Sequence, residues 1–283
     1  GRALHSMRRH GVELKRPRLV VGDVDVFPSG DRILAWGRGQ LDPLIWDASS
    51  GAVVCALRGH NASIGAARIF PSGLRVIAAS FDGRAIIWDA LTCGVALELV
   101  HDDGLTDVAI LNGGATVATI SSYGWTRIWC ASSGALLHTL QGMRVRLSQR
   151  AIGMEAFPSD ARLATYNVGE ATIWDAVSGE GLRRLVSLPS RTQDVAVSSN
   201  GDVLVTCGSG RVTVWDPASG RRVAELEEGP LEAPAEESEP TCSVAIGLGG
   251  ALDPDGLGRG LLWRDWPVRR AVSSEPLEHS TRM

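Results

Sequence analysis

The sequence predicts an all-β fold built from a repeated four-stranded antiparallel unit, and three observations predict it. Tryptophan closes a recurring phrase: IWD at 45–47, 87–89 and 173–175, IWC at 128–130, VWD at 214–216 and a weaker LWRD at 262–265. Successive phrases place their tryptophans 41 to 48 residues apart, and a steady period of this size marks a repeat architecture. Two turn signals keep the same beat. FPSG stands at 27–30 and 70–73 and FPSD at 157–160, with LNGG (111–114) and SSNG (198–201) in the matching slots. After each tryptophan come DASSG (47–51), DALTCG (89–94), CASSG (130–134), DAVSG (175–179) and DPASG (216–220).

Between these turns lie short runs rich in β-branched and apolar residues, such as RVIAAS (75–80), AIIW (85–88), RLATY (162–166) and VTVW (212–215). Gly, Pro, Asn, Asp and Ser bound each run, which is the pattern of strands joined by tight turns. Each period holds about four: one before the FPSG turn, one after it, one ending in Trp and one after the SSG turn. No segment offers a 3.6-residue apolar stripe of helical length. Four strands repeated about six times make one blade per repeat of a β-propeller.

The whole chain, 1–283, reads as one such domain. Its repeats fall near 11–60, 61–101, 102–142, 143–187, 188–228 and 241–276. Residues 1–10 look like the fourth strand of an incomplete or closing blade, comparable to SGALLHTLQG at 133–142. Either they complete the last blade of a six-bladed ring, or the chain is part of a seven-bladed or larger one. The opening Gly in place of Met favours a fragment.

Composition sets the broad class. At 44% hydrophobic and 21% charged residues the chain is neither a disordered nor a membrane type. A net charge of −4 argues against a protein that coats nucleic acid. Five cysteines without a CxxC pair predict reduced, packed thiols and a cytoplasmic or nuclear setting. Nine Trp against two Tyr and four Phe make tryptophan the residue to follow.

On these motifs the chain resembles the WD-repeat β-propeller family across nearly its whole length. The family's repeat orders a Gly-His pair, a strand, a Pro-Asp-Gly-like turn, a second strand, an Asp-containing tight turn and a third strand ending in Trp-Asp. Arg58-Gly59-His60 through Asp89 follows that order. The resemblance implies a buried hydrogen-bonded tetrad of His60, Ser80, Asp82 and Trp88, in which donors satisfy the buried carboxylate. Other repeats depart from it: Gln40, Tyr123, Val168 and Ser209 stand where Asp is expected. His101 keeps the histidine slot in the third repeat, while Leu147 and Leu188 fill it in the fourth and fifth. Trp46, Trp129, Trp174, Trp215 and Trp263 are expected to fill the space between blades. Trp36, Trp125 and Trp266 are off-phase and read as exposed anchors or as core.

No HExxH, GxSxG, Walker loop or CxxC occurs, so the sequence points to a non-enzyme without cofactor or metal. By resemblance, function lies on the wide face around the central channel, where relatives hold peptides and partner proteins. The residues expected there are Ser63, Gly65, Phe81, Thr106, Ser122, Arg150, Asn167, Arg191 and Gln193, with Phe81 the most telling anchor. The expected function is a protein–protein interaction scaffold, free-standing or as the sensor or adaptor portion of a larger multidomain protein. It has no membrane or small-molecule partner. A propeller hydrolase or redox enzyme would need converging His, Asp, Glu or Tyr at the channel mouth, where the sequence offers small and apolar residues. A nucleic-acid-binding propeller would need a basic face. The acidic, mobile insertion 227–240 argues against that, except near the basic stretch 8–18. Those two charged segments could pair across the ring seam or recruit a partner of opposite charge.

Overall fold

The computed structural model describes residues 23–37, 39, 41–140, 153–158, 161–167, 169–186, 192, 194–208 and 211–227, with the backbone of 243–246 and 261–264. The short apolar runs become strands, grouped in fours and paired in chain order. The first sheet holds β1 (Asp23–Val26), β2 (Arg32–Trp36), β3 (Leu44–Asp47) and β4 (Val53–Ala56). The second holds β5 (Ile64–Ile69), β6 (Arg75–Ser80), β7 (Arg84–Asp89) and β8 (Val95–Val100). β9 (Leu105–Leu111), β10 (Thr116–Ser121), β11 (Thr126–Cys130) and β12 (Leu136–Leu140) form the third. The fourth contains β13 (Gly153–Ala156), β14 (Arg162–Asn167), β15 (Glu170–Asp175) and β16 (Gly181–Val186). The fifth contains β17 (Asp194–Val197), β18 (Leu204–Gly208), β19 (Arg211–Asp216) and β20 (Arg221–Glu227). The Gly-rich sixth repeat contributes the antiparallel pair β21 (Ser243–Ile246) and β22 (Leu261–Arg264). The expected strand over 1–10 and the insertion beyond Glu227 lie outside the described residues.

Successive sheets stack through their faces, with β5 beside β9, β9 beside β13, β13 beside β17 and β17 beside β21. The middle strands are covered on both sides, so residues of both parities are apolar there and β6, β10 and β18 read as nearly unbroken hydrophobic runs. Between the first and second blades, Leu34, Trp36 and Ile45 meet Val76, Ala78, Ile86 and Trp88. The opposite face of the second blade, with Ile77, Ala79 and Ile87, meets Val108, Val117 and Trp129. Trp174 faces the third blade and Trp215 the fourth in the same way. Fully burying a side chain of this size is worth roughly 3–5 kcal/mol against alanine. The repeated tryptophan is therefore the main inter-blade filler.

The aspartate that follows has a separate, local task. Pairing of the third and fourth strands slips at the tryptophan in all five sheets. The next residue then folds the turn through its carboxylate. Asp47 accepts the Ser49 and Ser50 amides, Asp89 those of Leu91 and Thr92, Asp175 those of Val177 and Ser178, and Asp216 that of Ala218. This is the side-chain mimicry of a backbone turn at which Asp excels. Cys130 occupies that place in the third blade. Hydrogen bonds from the Ser132 and Ser133 hydroxyls, then their amides, draw its thiol down to about 6.

The expectation of reduced cysteines is overturned. Cys55 of β4 and Cys93, in the turn after β7, form a disulfide with Cα atoms 6.5 Å apart. Cys207 is also disulfide-bonded, and Cys130 is free. The separation of 38 residues is close to one repeat, so stacking of adjacent blades brings the two sulfurs together. An odd count without CxxC says nothing about such long-range pairs, and the cytoplasmic expectation loses its support from thiols. Among the described residues no helix is long and apolar enough to cross a membrane.

Candidate interaction face and channel

The second blade's polar network starts from a short turn, Ser80-Phe81-Asp82-Gly83, that leaves one carboxylate among main-chain donors. Asp82 accepts from His60 Nδ1 (2.9 Å), the Asn61 amide (2.9 Å), the Arg84 amide (2.9 Å) and the Arg84 guanidinium (3.1 Å). Its own amide donates to Ser80 Oγ at 3.2 Å, and that hydroxyl donates to the Ala62 carbonyl at 3.1 Å. Trp88 is not part of this network, which corrects the implied tetrad. Its indole N–H donates to the Arg58 carbonyl at 3.0 Å, and it meets His60 only edge-on, with ring centroids 5.5 Å apart. Burial pushes the Asp82 carboxyl up. The Asn61 amide, His60 and the Arg84 amide outweigh it and leave the group below its ordinary value.

Blades without that aspartate anchor the tryptophan differently. Trp129, Trp174 and Trp215 donate to Thr119, Thr165 and Thr206 at 2.8, 2.8 and 3.0 Å. Each threonine stands on the second strand, two residues beyond the partner of the tryptophan. The same place holds Ala78 in the second blade and Ala35 in the first. Trp46 Nε1 is accordingly buried with no acceptor among the described residues.

The expected face residues divide into distinct groups. Gly65 and Thr106 line the mouth of the channel with Trp36 and Asp107. A Cβ on Gly65 would stand 2.6 Å from the Thr106 carbonyl oxygen, so close approach of the second and third blades requires glycine there. Ser63 accepts the Gly39 amide at 3.2 Å, and the Ser122 hydroxyl donates to the Gly104 carbonyl at 2.8 Å. Phe81 is 50% exposed beside Gly104. Tyr123 (46%) and Trp125 (44%) stand on the corresponding turn of the next blade, and these are the exposed aromatic side chains of the described residues. Asn167 is buried, its Oδ1 lacking a partner. Off-phase Trp36 is core. Arg150, Arg191, Gln193 and Trp266 lie outside the described residues, and of Trp263 only the backbone is described.

A family profile described as WD domain, G-beta repeat, matches residues 51–89 and 187–216. Those two stretches carry the WD40 repeat. Periodic tryptophan protein 2 of Arabidopsis thaliana is 25% identical over 118 residues, 41% of this chain, and the match spans 13% of that relative's length. The solved structure of U3-55K superposes with a TM-score of 0.69 at 18% identity, covering 82% of this chain and 72% of that one. At that identity the likeness speaks for the fold, an all-β propeller of four-stranded blades.

Inside the propeller channel the expectation of small and apolar lining is overturned. The inner strands carry Asp23, Asp25, Arg68, Asp107, Glu155 and Asp194, with Tyr166 beside them. Their places reflect an edge problem: the channel side of an inner strand exposes amides that no neighbouring strand pairs. Asp25 of the first blade accepts the Ile69 amide of the second at 3.2 Å, and Asp107 of the third accepts the Met154 amide of the fourth at 3.0 Å. Each aspartate also accepts the amide of the residue after it. Arg68 lies 3.6 Å from Asp107. The channel is deep but wet, since these two side chains keep 35% and 14% of their surface. Burial raises the Asp107 carboxyl despite Arg68. Burial pushes Glu155 up to about 7, against the pull of Arg68 and reinforced by Asp107 and Asp194. Among the described residues no three His, Cys, Asp or Glu side chains are placed to hold a metal ion.

Sequence reasoning missed these groups because face-directed residues were sought in the loops. A signal was present: charged residues inside otherwise apolar inner strands, at Arg68, Asp107 and Glu155.

Proposed function

We propose that the chain is a single propeller domain acting as a protein-interaction scaffold, with a partner segment seated on the face that carries Phe81, Tyr123, Gly65 and Thr106. The observation that carries this reading is the clustering of exposed aromatic side chains on corresponding turns of two adjacent blades. Exposed aromatics grouped in this way are the usual anchors of an interface. WD40 propellers in general hold other proteins, which supports the reading without naming a partner. Acid–base chemistry in the channel is the second reading, favoured by Glu155. Asp25 and Asp107, however, are already committed to main-chain amides across the blade gaps.

Capture of partners by the wild-type chain and by a Phe81→Ala, Tyr123→Ala variant tests the scaffold reading. The variant is expected to fold and to lose a defined set of bound proteins. Recovery of the same set by both chains would move the interface elsewhere.

A further inference from the structure

In the second blade, Asp82 gathers donors from His60, the Asn61 amide and Arg84. The third blade keeps the counterparts of His60 and of the Asn61 amide, in His101 and the Asp102 amide, carries Trp125 at the position of Arg84, and lacks the carboxylate. Tyr123 stands in the aspartate's place in the turn, with its side chain 46% exposed and no hydrogen bond among the described residues. A cleft of about 250 Å³ opens in the same blade, bounded by His101, Asp102, Asp103, Trp125, Arg127 and Thr139.

The donors around this cleft can be assigned. Thr119 is fully buried and its Oγ1 accepts the Trp129 indole N–H at 2.8 Å. Its own proton needs an acceptor, and His101 Nε2 at 2.6 Å is the neighbour that offers one. A buried hydroxyl left without an acceptor would cost more than the alternative tautomer. The His101 proton therefore resides on Nδ1, which has no acceptor among the described residues. Burial, and then the Arg127 charge, hold His101 down at about 4, so the ring is neutral at physiological pH. Arg127 takes the strand position that Ile86 holds in the second blade. It donates to the Val100 carbonyl (3.1 Å) and to Asp102 (2.7 Å), while its Nε–H is buried without an acceptor. The Asp102 amide, counterpart of the Asn61 amide, likewise has no acceptor among the described residues.

We propose that this cleft is a binding site for a carboxylate presented by a partner protein chain, an acidic side chain that completes in trans the network whose aspartate the third blade has lost. The His101 Nδ1–H and the Asp102 amide, without acceptors among the described residues, select an oxygen ligand, and the Arg127 guanidinium selects an anionic one over an amide. The resident competitor is Asp102, whose side chain is 85% exposed, so its hold on Arg127 is that of a surface ion pair and is readily exchanged. Trp125, half exposed on the wall, offers an apolar surface to the methylene of the incoming side chain. That the carboxylate comes from a protein rests on the interaction reading above. The cleft itself is tested without that reading.

The full chain, labelled with ¹⁵N at histidine and tryptophan, is titrated with the peptide Ac-Ala-Asp-Ala-amide, its Asn and Lys counterparts, and sodium acetate. The Asp peptide is expected to shift the His101 ring and Trp125 indole signals saturably, with the Asn and Lys peptides weaker by roughly tenfold or more. Asp102→Asn should tighten binding by freeing Arg127. Tyr123→Asp should abolish it by supplying the carboxylate in cis, while raising the thermal midpoint. If that variant does not fold, Arg127→Gln carries the same test through loss of binding. Preference for the Lys peptide, weakening by Asp102→Asn, or no shift at His101 would each overturn the proposal. Acetate binding as tightly as the peptide would overturn the partner-chain source. Failure of the capture experiment alone would leave this titration unaffected.

Discussion

Asp82 illustrates how one side chain fixes a turn. Desolvation works against its charge, and donors from His60, Asn61 and Arg84 more than compensate. Its folded-state value is therefore depressed. The stabilisation is present above the ordinary carboxylate range and is lost as pH falls through the still lower folded value. Asp82→Asn should cost roughly 1–3 kcal/mol at neutral pH, and the gap to wild type should narrow as pH falls through and below the ordinary carboxylate range. Urea denaturation at neutral and acid pH checks this, and a gap that persists in acid would show that the charge is not responsible. Asp82 was legible because its repeat keeps the whole motif from Arg58 to Asp89. Tyr123 was not, because the sequence records the loss of an aspartate but not the donors left facing a cleft. Nor could spacing reveal that Trp88 bonds to the Arg58 carbonyl, since main-chain acceptors carry no sequence signal.

At the level of the blade, strands and turns were legible almost throughout, because short β-branched and apolar runs bounded by turn clusters have few other solutions. The ties between blades were not. Arg32, Arg75 and Arg162 each lie five residues after the turn phenylalanine, stacked over its ring at 4.2 to 4.3 Å. Their guanidinium groups reach the carbonyls of Ala90, Ala131 and Gly201 in the next blade. Threonines 119, 165 and 206 were passed over because Thr in a strand reads as simple β propensity. Trp46 shows what their absence does: Ala35 offers no oxygen, and the indole N–H is orphaned. Ala35→Thr should restore the bond and stabilise the chain by about 0.5–1.5 kcal/mol. Thermal unfolding reads the change, and a lower midpoint would mean that the added methyl overpacks the blade.

Across the whole molecule, the channel is where blade chemistry becomes collective. Glu155 is influenced by Arg68 of the second blade, Asp107 of the third and Asp194 of the fifth. None of these neighbours is apparent until the repeats curve around a common axis, so the sequence alone shows only isolated charges. With Glu155 raised to about 7 from an ordinary 4.5, the folded chain holds a proton that the unfolded chain has released between those values. Stability contributed by this group therefore falls as pH rises across that window and levels off above it. Glu155→Gln should leave the thermal midpoint nearly unchanged at pH 5 and raise it at pH 8. An equal shift at both would show that the residue is not titrating there. The Cys55–Cys93 bond has a different long-range effect, on how the chain responds to tension. Pulled from its ends, the chain cannot lengthen through the 38 residues the bond encloses, so roughly 130 Å of contour stays hidden. The first two blades then bear load as one body until a reductant releases that length.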